Sequence, residues 1–433
     1  MSINHRWFES ARKPDFTGGD PSSRRLPRMR DQVAAWGLAG LLALASIAVV
    51  VKGISTAWTT AADESSRVRI GDHDMRDRAA EYRCFRRGVY PNKGLAGPNP
   101  PPWLRHTPYP PYAIPMFALF FEPGGVLQGR LLIELLSLTA LVVMGRYGYR
   151  ELRFAGPAMA VIGSLTGTAI MGNSTVLELG HFSIICMGLI VGQMVLLERG
   201  RPVPAGICWA LAMIKPHIAL AFVPLFLVNR QWRGLLAGCV VLATLGIFAC
   251  WWTAVPPLRA ISQWFVGLSW VFSTRAQGIG PGSLAAWLGL NPQHVHTAMI
   301  VLCGCLLAVV CGLFLRRTTG DRGRTSHIAP LAGACAVLGD VFIYHHFYDN
   351  VMLFPTAIAI LTLAAAVPAW WSVGLATLMM ATLWTPHRFV TQVPFNGIDR
   401  AAIWLTVAAV LTAFVIDGPA ARLLRRTSPA PNA

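Results

Sequence analysis

The sequence predicts an all-α integral membrane protein, a bundle of about twelve transmembrane helices with a long extracytoplasmic first loop. Three observations carry that prediction. Hydrophobic residues make up 54% of the 433 positions and charged residues only 13%, about half the roughly 25% charge of a soluble globular chain. Apolar runs close to the roughly 20 residues that cross a bilayer recur along the chain. The formal net charge of +17 sits in short arginine clusters between those runs. That arrangement suits cytoplasmic loops against anionic headgroups and not the continuous basic face that nucleic acid requires.

Residues 1–33 are basic and aperiodic and read as a cytoplasmic N-terminal segment. The apolar run 34–53 is about 20 residues long and lacks a clear cleavage site, so it reads as a retained first helix and not as a signal peptide. A polar extracytoplasmic loop follows over 60–111, its second half rich in proline and glycine. The apolar piece 112–121 is too short to span and fits a position in the membrane interface. Further spans are expected near 128–145, 157–172, 181–198, 203–228, 234–254, 295–315, 327–344, 350–367, 369–385 and 400–416. The arginine clusters at 146–153, 199–201, 230–233, 316–324 and 422–426 are assigned to the cytoplasm. The stretch 203–228 then carries arginine at both ends and must enter and return, so Pro216 is expected to break it into two short helices near the outer face. The chain divides into the segment 1–33, a transmembrane domain over 34–416 and a cytoplasmic tail over 417–433.

This topology gathers the unusual polar residues at the ends opposite the arginines. They are Asp72 and Asp74, Glu178 and His181, Lys215, Gln263 with Trp264 and Arg275, the run from His345 to Asp349, and His387 with Arg388. One extracytoplasmic cavity lined by many helices explains them together. Eight of the nine cysteines lie in apolar segments, Cys84 being the exception. They form neither a disulfide framework nor a metal-ligand spacing. No internal repeat of the kind found in inverted-repeat transporters is visible.

Within the first loop, 71–90 is the densest polar run. Asp72, Asp74, Asp77 and Glu81 stand among six arginines, counting Arg69. Either Asp74 or Asp72 serves as a general base, or the run is a solvated loop without chemistry. Lys215 lies in an apolar run and is the only lysine after Lys93. It either snorkels to the interface or meets a phosphate, helped by N–H groups freed at the helix break. The run 341–350, VFIYHHFYDN, holds two histidines, two tyrosines and an aspartate, which are interfacial anchors or site residues. Adjacent histidines point to different faces of a helix and no spaced third ligand accompanies them, so no metal is indicated. Arg130 and Glu134 are spaced for an i,i+4 ion pair. Trp251, Trp252, Trp264, Trp270 and Trp287 form an interfacial belt or line a groove for a lipid chain.

Taken in order, RRGVYP (86–91) after the acidic loop, TPYPPYAIP (107–115), ELGHF (178–182), the Lys215–Pro216 pair and HHFYDN (345–350) give the chain a family likeness. It resembles the polyprenyl-phosphate-dependent glycosyltransferases of the GT-C superfamily, and most closely glycosyltransferase family 87, which includes bacterial mannosyltransferases. The resemblance implies a GT-C-type bundle in the bacterial inner membrane. It also implies inverting transfer of a sugar, typically mannose, from a polyprenyl-phosphate donor to a lipid or glycan acceptor hydroxyl on the outer face. Asp74 or Asp72 would be the base. Lys215, His345, His346 and Arg388 would hold the donor phosphate, and Tyr109, Glu178, His181, Tyr348 and Asp349 would contact substrate. His181 stands where the family often has glutamine. No cofactor is implied, since the lipid-linked sugar phosphate is itself a substrate.

The chemistry agrees with these residue types. A carboxylate takes the acceptor proton in the transition state. The leaving group is already a phosphate, so cations are needed and a general acid is not. One carboxylate therefore suffices, unlike the pair of a glycosidase, and no glycine-rich nucleotide loop is present. A secondary transporter or lipid flippase is the competing reading, because it too would use intramembrane charges and a broken helix.

Overall fold

The computed structural model describes residues 29–62, 73–95, 107–122, 125–274, 292–318, 328–343, 346–385 and 397–416. Every regular element among them is helical. Asp72, His345 and Arg388 lie outside the described residues, as do the N-terminal segment up to residue 28 and the tail 417–433.

The first helix, α1 (Met29–Ala62), turns Leu41, Leu44, Ile47 and Val51 outward, as a lipid-facing helix does. Next come α2 (His73–Arg86) and two single turns, α3 (Ala113–Met116) and α4 (Ala118–Phe121). The long α5 (Gly125–Leu152) leads into α6 (Pro157–Thr166), α7 (Gly172–Leu179), α8 (Ser183–Glu198) and α9 (Pro202–Ala212). The short α10 (Pro216–Ala219) and α11 (Pro224–Val228) return the chain to α12 (Trp232–Trp252) and α13 (Pro257–Thr274). The remaining helices are α14 (Pro292–Thr318), α15 (Ile328–Phe342), α16 (Phe354–Ala366), α17 (Trp370–Trp384) and α18 (Gly397–Ile416).

The interruptions follow from local chemistry. Proline disfavours a helical conformation in the residue before it, and Lys215, ahead of Pro216, has φ −116° and ψ 86°. This is the break expected in 203–228. The expected span 157–172 ends early, α6 stopping at Thr166 and a separate α7 starting at Gly172, and beyond it α7 and α8 meet at 113°. Gly180 makes that corner in the left-handed region, φ 68°, which glycine enters without steric cost. The piece 112–121, too short to span, forms two single turns that are mostly buried, and Phe117 stacks on Phe182 with centroids 5.9 Å apart.

Helix direction separates the two ends of the bundle. Since Gly206 approaches Gly234 and Trp209 approaches Gly238, α9 and α12 run parallel, which obliges residues 213–231 to return. Arg150 donates to Glu151 and Glu198, both at 2.6 Å, and so joins the far ends of α5 and α8. The breaks at 180–182 and 213–215 and the turn entered at His346 lie at the other end. Five described helices are long and apolar enough to cross a membrane, Gln32–Trp58, Val126–Ala155, Trp232–Trp252, Thr297–Arg316 and Phe347–Ala366, and the bent α7–α8 pair would make a sixth. An expectation of about twelve crossings is therefore finer than helix length alone supports.

Without a solvent-driven hydrophobic effect between them, membrane helices pack through small residues. A Cβ on Gly206 would lie 1.9 Å from the Gly234 carbonyl oxygen, whereas Gly40, on the outer side of α1, has nothing within 4 Å of such a Cβ. Gly206→Val is therefore expected to lower the thermal midpoint in detergent, with overpacking costing about 1–3 kcal/mol or more. Gly40→Val should melt close to the parent. Equal melting of the two variants would refute this packing.

Candidate active site

Three helix interruptions converge on one buried carboxylate. Asp349 lies in the 3-10 turn Phe347–Leu353 that opens α16. Its Oδ1 accepts from Ser183 Oγ at 2.5 Å and from Lys215 Nζ at 2.9 Å. Its Oδ2 accepts the His346 backbone N–H at 3.2 Å and lies 3.4 Å from His217 Nε2. Lys215 Nζ also donates to Ser183 Oγ at 2.7 Å. Ser183 begins α8, Lys215 and His217 flank Pro216, and Asp349 closes the third break. The Lys215 and Asp349 side chains are only 5% and 2% exposed.

Aromatic rings form one side of this cluster. Tyr348 lies between His181 and His346, stacked at 4.6 Å and 4.8 Å between centroids. The Lys215 ammonium lies 5.5 Å from the centre of the Tyr348 ring, within cation–π range. Burial pulls the His346 imidazole down to about 4 despite the nearby Asp349 carboxylate, so at neutral pH it is an uncharged hydrogen-bonding ring.

The α7–α8 corner is fixed from outside. The expected Arg130–Glu134 ion pair forms at 2.8 Å. Arg130 Nη2 also donates to the Leu177 and Glu178 carbonyls, each at 2.7 Å, which satisfies the carbonyl end of α7. Trp58 Nε1 donates to Glu134 at 3.1 Å and ties in α1.

The first turn of α2 reaches the same corner. A Cβ on Gly180 would lie 3.1 Å from Met75 Sδ, and Met75 is buried. The backbone of Asp74, the residue before Met75, is thereby placed beside the His181 corner. The rest of α2 is anchored. Arg78 pairs with Glu81 at 2.5 Å and lies over the Tyr109 ring at 4.6 Å. The Tyr82 hydroxyl donates to Glu122; burial first, and then that carboxylate, push it up to about 12, so it keeps its proton. Trp252 Nε1 donates to the Phe85 carbonyl at 2.7 Å and Trp264 Nε1 to the Pro108 carbonyl at 2.8 Å. These two tryptophans thus clamp the first loop.

Of the residues singled out from the sequence, His181, Lys215, His346, Tyr348 and Asp349 come together. Glu178 adjoins them through its carbonyl on Arg130, and Tyr109 sits in the neighbouring Arg78 cluster. Ser183 and His217 were missed, although each follows a flagged residue by two positions, in HFS and KPH. Removing one partner of a buried ion pair strands the other charge, at a cost of about 3–5 kcal/mol. Asp349→Asn is therefore expected to melt well below the parent, while Lys215→Met combined with Asp349→Leu should recover much of that loss. A double variant as unstable as Asp349→Asn would refute the pairing.

The model of glycosyltransferase family 87 matches residues 107–343, more than half of the 433-residue chain. The match takes in Tyr109, Glu178, His181, Ser183, Lys215 and His217 and ends before His346, Tyr348 and Asp349. No curated protein and no solved structure matches the chain. With the family match beside several bilayer-length apolar helices, the conclusion is that this chain belongs to glycosyltransferase family 87 and is a membrane glycosyltransferase.

Proposed function

We propose that the enzyme is an inverting hexosyltransferase that moves a sugar, most simply mannose, from a polyprenyl-phosphate donor to a lipid or glycan acceptor hydroxyl on the extracytoplasmic side of a bacterial inner membrane. The observation that carries this reading is the meeting of three helix breaks at Lys215, Ser183, His346 and Asp349, with the first turn of α2 packed beside the corner at Gly180. Lysine, serine and histidine donors beside the first turn of α2 support this reading.

In this reading the acceptor oxygen attacks the anomeric carbon as the bond from that carbon to the phosphate oxygen breaks. The acceptor proton passes to the carboxylate of Asp74 or Asp72, and the electron pair leaves with the phosphate. Lys215 supports the departing charge. An ammonium has three N–H donors, two of which serve Ser183 and Asp349, leaving the third for a phosphate oxygen. Neutral His346 adds a hydrogen bond, and His345 and Arg388 complete the phosphate contacts. Asp349 orients Lys215. His181, Tyr348, Tyr109 and Glu178 shape the sugar and acceptor sites. Membrane lipids supply the donor's surroundings, and neither a cofactor nor a metal enters the scheme. Family membership weighs against the transporter or flippase reading.

General-base catalysis contributes roughly 10²–10⁴-fold. Membranes bearing Asp74→Asn or Asp72→Asn, assayed separately with polyprenyl-phosphate-mannose and a labelled acceptor, should show a loss of that size in one variant and a small effect in the other. Full transfer by both would end the base assignment, and movement of the lipid without transfer by the parent would favour the flippase.

A further inference from the structure

The helix α2 carries most of its arginines on the side turned away from the bundle. Met75, Ala79, Tyr82 and Phe85 are buried, at the spacing of one helix face. Arg76, Arg83 and Arg86 are exposed, as are Arg87 and Lys93 in the turns that follow. Arg76 and Arg83 are seven residues apart, close to two turns, and so lie on the same side. Acidic neighbours are few: Glu81 serves the buried Arg78, and Glu122 lies 3.6 Å from Arg86. Among the described residues Arg83 and Arg87 make no ion pair.

The position of this face in the bundle says what it meets. The helix α12 is long and apolar enough to cross a membrane and, being parallel to α9, ends at Trp252 on the side of the candidate site. Trp251 and Trp252 are exposed there, and tryptophan at the end of a span marks the boundary of the hydrocarbon layer. The last turn of α2 is fastened to that boundary. Trp252 Nε1 donates to the Phe85 carbonyl at 2.7 Å, and the Phe85 and Phe248 rings meet edge to face at 6.2 Å. The chain beyond α2 rests on α13, Asn92 Nδ2 donating to the Gln263 carbonyl at 3.4 Å. That helix exposes Leu258, Ile261 and Phe265 at i, i+3 and i+7, as a helix lying in the interface does. Arg83, Arg86 and Arg87 therefore stand beside a tryptophan boundary, at the depth of lipid headgroups.

We propose that the exposed face of α2 is a docking surface for the anionic phospholipid headgroups of the leaflet on the site side. Charge complementarity selects this partner. A guanidinium presents its N–H donors in a planar fork that matches phosphate oxygens two at a time, and clustered arginines at a membrane edge are drawn to anionic lipid. The contact holds α2, whose first turn packs beside Gly180, against the bundle from the lipid side. It concerns the surrounding bilayer and stands whichever donor and acceptor the enzyme uses.

The test is amide hydrogen exchange of the full-length protein in nanodiscs of phosphatidylcholine, alone or mixed equally with phosphatidylglycerol. Phosphatidylglycerol should slow exchange over residues 75–87 about fivefold or more, the factor equivalent to roughly 1 kcal/mol for one arginine at an anionic surface, and leave α15 and α16 unchanged. Salt at about 0.5 M should remove most of the slowing by screening. The double variant Arg83→Gln, Arg87→Gln should lose most of it too, while exchanging like the parent in phosphatidylcholine alone. Inorganic phosphate added to phosphatidylcholine discs should have no effect. No slowing in the parent, or equal slowing in parent and double variant, would overturn the proposal. So would slowing by inorganic phosphate equal to that by phosphatidylglycerol, which would make the face a free-anion site. A double variant that exchanges faster than the parent in phosphatidylcholine alone would also contradict it, because the two arginines would then be structural.

Discussion

The buried contact between Lys215 and Asp349 is the constraint on which the rest of this architecture depends. A lone ammonium or carboxylate at that depth is strongly disfavoured, and mutual pairing with full hydrogen bonding makes both tolerable. The 2.9 Å bond joins residues 134 positions apart, and Ser183 closes a triangle with them. Three helix interruptions are thereby held at one level of the bundle. Their freed backbone groups face polar partners instead of lipid, as non-helical backbone in a membrane requires.

Each interruption has a local cause that precedes the pairing. Pro216 excludes helical geometry at Lys215, Gly180 supplies the left-handed turn, and the His346–Asp349 cap starts the turn that leads into α16. Arg130 completes the α7 terminus from a neighbouring helix. The site is in this sense built from helix ends, each of which needs polar partners that a continuous span would not need. The same ends lie opposite the Arg150–Glu198 contact, so the candidate site and that ion pair occupy different ends of the bundle.

Much of this was legible in the sequence because bilayer physics limits the choices. Apolar run length gave α8 and α12 nearly to their ends and only the middle of the longer α1 and α5, and arginine at both ends of 203–228 forced the return that the parallel α9 and α12 require. Lys215, His181 and Asp349 stood out because polar residues in apolar runs are costly. What stayed hidden depended on three-dimensional pairing. Ser183 and His217 are ordinary residues until Asp349 arrives from far along the chain. The separate helix α7, with its corner at Gly180, was missed because glycine corners are less conspicuous than proline breaks, and the burial of 112–121 because stacking of Phe117 on Phe182 leaves no periodic signature.

As proposed, the donor phosphate binds at the meeting point of the helix breaks, opposite the acidic loop. A structure of the enzyme with a non-transferable polyprenyl-phosphate-sugar analogue tests it most directly. A phosphate oxygen within hydrogen-bonding distance of Lys215 Nζ is expected, with the anomeric carbon between it and the carboxylate of Asp74 or Asp72. A phosphate seated at the Arg150–Glu198 end of the bundle, or out of reach of both Lys215 and the α2 loop, would contradict it.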